Sequence, residues 1–160
     1  ALDENIKEEF QAKFDKLGEI RKELNKLIDE DTNSFNEFMK ALKMPKETFK
    51  QITERQQALA DATLYCIKVP YKTAYLSLEA MKQLDFLVEN GNQSAITDIG
   101  VGTLMLATGM EGAILNVKVN LMGLENKEIH DKYSKGCKEI LCEGQKIKDD
   151  IIAKIHKQLD

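Results

Sequence analysis

Hydrophobic residues recur every three or four positions along nearly the whole chain, which is the period of an α-helix. No segment alternates at period two over the length of a strand, apart from a short "VKV" inside a helical context. The pattern predicts an all-α bundle of about five long antiparallel helices, forming a single domain over residues 1–160. The predicted helices span residues 4–42, 47–68, 70–88, 93–121 and 127–158.

Prolines and cap residues set the predicted helix boundaries. Pro45 ends the first helix, because proline lacks a backbone N–H and restrains the residue before it. Pro70, in the pair "VP", is interpreted as a kink or a restart between the second and third helices. Gly91 is a predicted C-terminal cap, and Asn92 and Asn126 are predicted N-caps of the helices that follow.

Charge and hydropathy limit the classes of partner. The net charge is −4, with acidic and basic residues interleaved, and a nucleic-acid surface would need a basic excess on one face. The longest apolar stretch, about residues 99–121, includes Glu111 and Lys118. We therefore expect a helix buried in a protein core rather than one that spans a membrane.

The cysteines and histidines match no known framework. Cys66, Cys137 and Cys142 are odd in number and have neither disulfide nor zinc spacing, so we expect buried or partly buried free thiols in a reducing cytoplasm. His130 and His156 lie far apart on one predicted helix, and no metal site is predicted.

The acidic run in "LIDEDTNSF" (residues 27–35) is divided by the helical period. Asp31 continues an apolar stripe that includes Leu27 and Phe35, so the pattern predicts that it faces the core. Asp29 and Glu30 are rotated from it by about 200° and 100°. A core carboxylate is costly unless it is paired. Asp31 is therefore either a structural residue held by a neighbouring helix or an acid–base group.

A second set of polar and small residues shares one face of the helix predicted at 93–121. These residues lie within about 60° of one another at 100° per residue. Glycine inside a helix destabilises it by about 0.5–1 kcal/mol relative to alanine, so glycines on this helix need a reason. The two explanations are close helix–helix packing and a flat ligand lying against this face. The face comprises Asp98, Gly102, Gly109, Ala113, Asn116 and Asn120.

Three segments resemble the cyclodeaminase/cyclohydrolase family of folate enzymes, over about residues 20–125 and in the same order and spacing. "LIDEDTNSFNEFMKALKMPK" is similar to the family motif that carries an aspartate and then L/M-P-K. "VP" matches a second landmark, and "GNQSAITDIGVGTLMLATGMEGAILNVKVNL" resembles the third. The family's N-terminal "PGGGS" segment has no counterpart here, so we expect this sequence to be the remainder of a longer protein.

The resemblance implies an all-helical homodimer that acts on the one-carbon bridge of tetrahydrofolate, with no cofactor beyond the folate substrate. Asp31 falls on the family's catalytic aspartate. Asn92, Asp98, Asn116 and Asn120 fall on positions expected to line the folate pocket, and Lys46 is a candidate partner of the folate's glutamate tail.

Three functions are compatible with the sequence. The first is a methenyltetrahydrofolate cyclohydrolase and the second is a formimidoyltetrahydrofolate cyclodeaminase, which releases ammonia. The third is a helical interaction module without chemistry. Periodicity alone favours the third, and Asp31 together with the polar helix face favours the first two.

Overall fold

The computed structural model describes residues 3–160 and contains four long helices. Consecutive helices are joined by short turns and therefore run antiparallel. A single 3₁₀ turn, Gln93–Ala95, precedes the third helix. The all-α prediction is confirmed, but the predicted count of about five helices is wrong. The helices are α1 Glu4–Leu42, α2 Phe49–Asn90, α3 Ile96–Leu121 and α4 Lys127–Leu159.

The difference in helix count arises at Pro70, which lies inside α2 rather than between two helices. Proline within a helix removes one backbone hydrogen bond and destabilises the helix by about 3 kcal/mol or more. Here Pro70 is buried, and its neighbours Val69 and Ala74 are buried with it. Helix α2 nevertheless continues through Pro70 and is 42 residues long in total.

The cap predictions agree with the structure for Gly91 and Asn126, whereas Asn92 caps the 3₁₀ turn and not α3 itself, whose N-cap Ala95 makes no side-chain cap bond. Asn92 accepts a hydrogen bond from the Ser94 N–H at 3.0 Å, and Asn126 accepts one from the Ile129 N–H at 3.1 Å. Gly91 is the C-cap of α2. Thr48 and Gln51 form a reciprocal capping box at the start of α2, where the sequence pattern had placed the start two residues earlier.

The helices do not pack equally. Helices α2, α3 and α4 pack against one another around a core that includes Met81, Met110, Ile114 and Val117. Helix α1 packs on α2 alone among the described elements. An ion pair also joins α2 and α4, since the Lys154 ammonium lies 2.6 Å from the Asp85 carboxylate and 2.6 Å from that of Glu89.

The apolar helix α3 is only partly buried. Its inner face carries the core residues Met110, Ile114 and Val117, but Met105 and Met122 are 70% and 84% exposed. The segment Gln93–Leu121 is long and apolar enough to cross a membrane. An 18-residue stretch within it has a mean hydropathy of 1.2, and 33% of that stretch is buried inside the bundle. The expectation of a buried core helix is therefore right for one face of α3 and wrong for the other.

The cysteines are free in the described chain. Cys137 is buried and Cys66 is partly buried, as predicted. Cys142 is exposed on α4, so the prediction is wrong for this residue. Burial of Cys137 raises the pKa of its thiol, because the charged form is poorly solvated there.

Candidate functional site

A groove separates α1 from α3, because both helices pack on α2 and not on each other. The floor is formed by α2 and the two walls by α1 and α3. The cavity measures about 290 Å³ and is open to solvent. Its lining residues are Leu24, Leu27, Ile28 and Asp31 from α1, Pro70 and Thr73 from α2, and Gly109, Gly112, Ala113 and Asn116 from α3.

Asp31 lies on the α1 wall of this groove and is exposed, so the prediction that it faces the core is wrong. The reason is the narrow contact between α1 and α2. The buried residues of α1 are Ile20, Leu27, Ser34 and Ala41, a strict seven-residue spacing that is typical of one helix packing on a single partner. At 100° per residue, Asp31 is rotated by about 40° from Leu27 and about 60° from Ser34. It lies at the margin of the seam, where the groove opens.

The other two acids of the run have different surroundings. Asp29 is exposed, as predicted, whereas Glu30 is half-buried. Neither lines the groove. Asp31 is therefore the member of the run that faces the groove.

The Asp31 carboxylate forms no salt bridge in the described chain. No lysine, arginine or histidine among residues 3–160 forms an ion pair with it. It is also the one charged side chain among the residues that line the groove. The groove thus presents a single negative charge between walls of mostly apolar and small residues. Such a site favours a flat ligand with a neutral or cationic group near Asp31.

The predicted polar face of α3 contributes the opposite wall. Gly109, Ala113 and Asn116 line the groove on the side opposite Asp31. A Cβ atom added at Gly102, Gly109 or Gly112 would meet nothing within 4 Å. At Gly100, in contrast, a Cβ would lie 3.2 Å from Ile155 Cδ1. Packing within the chain therefore explains Gly100 but not the other three glycines.

Asn120 lies on the same face but is already hydrogen-bonded. Its side-chain amide donates to the Cys66 carbonyl of α2 at 3.0 Å and to the Asn116 carbonyl at 2.9 Å. The predicted role in folate binding stays a prediction for this residue. In the structure its amide joins α3 to α2.

Three further predicted site residues lie outside the groove, as Asn120 does. Asp98 is exposed in the first turn of α3, about 27 Å along the helix axis from Asn116. Asn92 uses its side-chain oxygen to accept from the Ser94 N–H and hydroxyl. Lys46 is exposed in the turn that follows α1. The structure thus brings Asp31 and Asn116 together, and it does not bring these three residues to them.

The sequence pattern missed the floor of the groove. Pro70 and Thr73 line it, and the Thr73 hydroxyl donates to the Val69 carbonyl at 3.1 Å. The sequence pattern gives Pro70 as a kink or a restart and as part of a family landmark, and does not place it in the site. One signal was available in the sequence. Pro70 continues the helical period of its neighbours, which indicates a proline inside a helix rather than at its end.

A second cavity of about 340 Å³ lies near the other end of α1, between α1 and the first half of α2. It contains Glu37, Lys40 and Asp61, so its charges are of mixed sign, and Lys40 forms an ion pair with Glu37 at 2.6 Å. None of the predicted site residues lines it. The groove that contains Asp31 is therefore the better candidate site.

Comparison with known proteins identifies a family and several relatives. The family described as formiminotransferase-cyclodeaminase matches residues 2–139. A methenyltetrahydrofolate cyclohydrolase of Methylorubrum extorquens is 24% identical over 155 residues, which covers 97% of this chain and 74% of that protein. Formimidoyltransferase-cyclodeaminases of Gallus gallus and Dictyostelium discoideum are 26% and 31% identical, over 89% and 72% of this chain.

The relatives differ in how much of their length is matched. The chain spans about a quarter of the Gallus gallus protein and a fifth of the Dictyostelium discoideum protein, at 26% and 20%. The family match covers most of the chain, including both walls of the groove. The chain belongs to the formiminotransferase-cyclodeaminase family.

Proposed function

We propose that this chain hydrolyses 5,10-methenyltetrahydrofolate to 10-formyltetrahydrofolate. The observation that carries the proposal is the unpaired Asp31 carboxylate, which faces Asn116 across an otherwise uncharged groove. The methenyl bridge is a flat amidinium cation, and a carboxylate beside it stabilises the positive carbon. The relative that matches over most of its own length is named as a methenyltetrahydrofolate cyclohydrolase.

The chemistry assigns Asp31 a proton-transfer role. Water adds to the methenyl carbon and gives one proton to the carboxylate as the C–O bond forms. The bond from this carbon to N5 then breaks, and Asp31 returns the proton to N5. The remaining hydroxyl proton leaves as the formyl group forms, so one proton is released per turnover. This reaction needs water and proton transfer, and no cofactor beyond the folate substrate enters it.

The Asn116 side chain lies on the opposite wall and supplies an amide to orient the water or the pterin. The small residues Gly109 and Gly112 leave room for a flat ring to approach the backbone of α3. In this arrangement the ring rests on α3 and the one-carbon bridge points towards Asp31.

A cyclodeaminase is the second candidate, and it is favoured by the names of the relatives from Gallus gallus and Dictyostelium discoideum. In that reaction N10 attacks the formimino carbon and ammonia leaves. Asp31 would take the proton from N10 and give it to the nitrogen that leaves as ammonia. The same groove serves either leaving group.

The direct experiment supplies each substrate to the purified protein. Loss of methenyl absorbance faster than in buffer supports the cyclohydrolase, and ammonia release from 5-formiminotetrahydrofolate supports the cyclodeaminase. Thermal denaturation with tetrahydrofolate tests the third hypothesis, an inert helical module. A ligand at 100 times its dissociation constant adds about 2.7 kcal/mol of stability. No turnover and no thermal shift would favour the inert module.

We further propose that the protein is a homodimer and that the outer face of α3 lies in the interface. Large exposed apolar patches are uncommon on monomers and often mark interaction sites. The α1 side of the groove also exposes apolar side chains, since Ile28 and Phe35 are 68% and 60% exposed. A second copy is the occupant that the family resemblance implies. This apolar face comprises Val101, Leu104, Met105, Leu115 and Val119 of α3 and its C-cap Met122, each between 48% and 84% exposed.

The dimer proposal is tested by sedimentation. Leu115→Glu places a charge in the apolar face and is expected to give a monomer that keeps its helical circular dichroism. Glu139→Lys, an exposed position on α4, is the control and is expected to leave the mass unchanged. A monomeric wild type would contradict the proposal.

We also propose a cytoplasmic location without membrane attachment, supported by three free thiols, which persist in reducing compartments.

A further inference from the structure

A buried proline in the floor of the groove leaves one backbone carbonyl without its normal partner. In a continuous helix the N–H of residue 70 would donate to the carbonyl of Cys66, four residues earlier. Pro70 has no N–H, so this bond is absent although α2 continues on both sides. A buried carbonyl without a donor is unfavourable, and most such groups find another partner.

The partner comes from another helix. The Asn120 side-chain amide of α3 donates to the Cys66 carbonyl at 3.0 Å. The same amide donates to the Asn116 carbonyl of its own helix at 2.9 Å. Its two donors are thus divided between the carbonyl that Pro70 leaves free and the backbone of a groove residue.

These two bonds fix the relative position of the floor and one wall of the groove. Pro70 belongs to the floor, and Asn116 belongs to the α3 wall. Both are linked to Asn120, which does not line the groove itself. A shift of α3 along α2 would break the Cys66 bond and move Asn116 away from Asp31.

We propose that Asn120 is a positioning residue, whose amide replaces the backbone donor that Pro70 lacks and thereby fixes Asn116 in the groove. The structural part of this inference stands on the hydrogen bonds. The effect on turnover rests on the proposed folate chemistry.

A double-mutant cycle tests the structural part without any substrate. Asn120→Ala leaves the Cys66 carbonyl unsatisfied and is expected to lower Tm by about 3–6 °C. Pro70→Ala restores an N–H at position 70, so Asn120→Ala is expected to lower Tm by less than half as much in that background. Equal losses in the two backgrounds would overturn the inference. If Asn120→Ala does not fold, Pro70→Ala must restore folding, and an unfolded double variant would also overturn it.

Asn90 provides the matched control. Its side-chain amide donates to the Phe86 carbonyl of its own helix at 3.1 Å, with no proline nearby in the helix. Asn90→Ala is expected to change Tm by the same amount whether residue 70 is proline or alanine. If Pro70→Ala changes the Tm effect of Asn90→Ala as much as it changes that of Asn120→Ala, the coupling is a general effect of the Pro70→Ala change. That result would overturn the positioning role of Asn120.

Kinetics separate positioning from stability alone. With methenyltetrahydrofolate at a temperature well below Tm, Asn120→Ala is expected to raise KM several-fold, and Asn90→Ala is expected to leave it unchanged. A wild-type KM in Asn120→Ala would confine Asn120 to stability and overturn its positioning role. An inactive wild type with intact Asn120–Pro70 coupling would instead count against the proposed function.

Discussion

Gly109 offers a test in which stability and ligand binding change in opposite directions. It lies within α3, and its missing side chain would point into the groove, where a Cβ meets no atom within 4 Å. Alanine at such a position is expected to stabilise the helix by about 0.5–1 kcal/mol, because glycine loses more backbone entropy on folding. For a chain of this size, that is about 1–4 °C in Tm.

The same methyl group occupies space that a folate ring would use. Overpacking a fitted contact costs about 1–3 kcal/mol, which is about 5- to 150-fold in Kd. Gly109→Ala is therefore expected to raise the Tm of the free protein and to weaken its stabilisation by tetrahydrofolate. Calorimetric titration and thermal denaturation measure the two effects on one preparation.

Gly102→Ala is the matched control, since its Cβ also meets no atom within 4 Å but the residue does not line the groove. We expect a similar gain in Tm and unchanged folate affinity. The reasoning is refuted if Gly109→Ala binds folate as tightly as wild type. It is also refuted if Gly109→Ala is less stable than wild type while Gly102→Ala is more stable.

Other positions give predictions on packing, charge and thiol chemistry. Gly144→Ala would place a Cβ against the Met110 sulfur, so a loss of about 1–3 kcal/mol is expected in urea denaturation. The ion pairs of Lys154 raise its pKa to about 12, so their contribution is complete below pH 10.5 and is lost as the pH rises towards 12. Lys154→Met should lose about 0.5–1 kcal/mol at pH 7, after discounting for its 38% exposure. Iodoacetamide should modify Cys142 before Cys137, as read by mass spectrometry.

Each of these has a contrary outcome. A Gly144→Ala variant as stable as wild type would show that α4 is not packed closely on the core at this point. If the stability difference between Lys154→Met and wild type persists unchanged above pH 12, the ion pairs are not its source. Equal alkylation rates for the two thiols would contradict the burial of Cys137.

Local sequence signals predicted the helices well. The bounds of α1 and the ends of α3 and α4 lie within about three residues of the predicted positions. This is because side-chain capping at Asn92 and Asn126 involves residues only a few positions away. The pattern does not predict that α2 continues through Pro70, because the donor that reaches the Cys66 carbonyl in place of the missing N–H belongs to Asn120, 50 residues later in the chain. A local pattern contains no information about that bond.

The position of Asp31 depended on the number of helices that surround α1. A helix with several neighbours buries a broad face, and Asp31 would then lie inside it. Helix α1 has one neighbour among the described elements, so its buried seam is narrow and Asp31 reaches the groove. The groove exists because α1 and α3 both pack on α2 without a close approach of their backbones, and periodicity within each helix cannot give that arrangement.

The exposed face of α3 has a similar explanation. Its apolar composition predicted burial, and burial by a second copy satisfies the same pattern as burial within the chain. Composition does not distinguish the two. Sequence also does not distinguish the glycines of this helix from one another. Gly100 packs closely on Ile155, whereas Gly109 faces open space.

The central claim is that the Asp31 carboxylate transfers the proton at the folate one-carbon bridge. The most direct measurement compares Asp31→Asn with Asp29→Asn, which removes a neighbouring exposed carboxylate outside the groove. Methenyltetrahydrofolate absorbance is followed at saturating substrate. We expect kcat to fall about 10²–10⁴-fold in Asp31→Asn and to stay at the wild-type value in Asp29→Asn. Turnover within a few-fold of wild type in Asp31→Asn would contradict the claim.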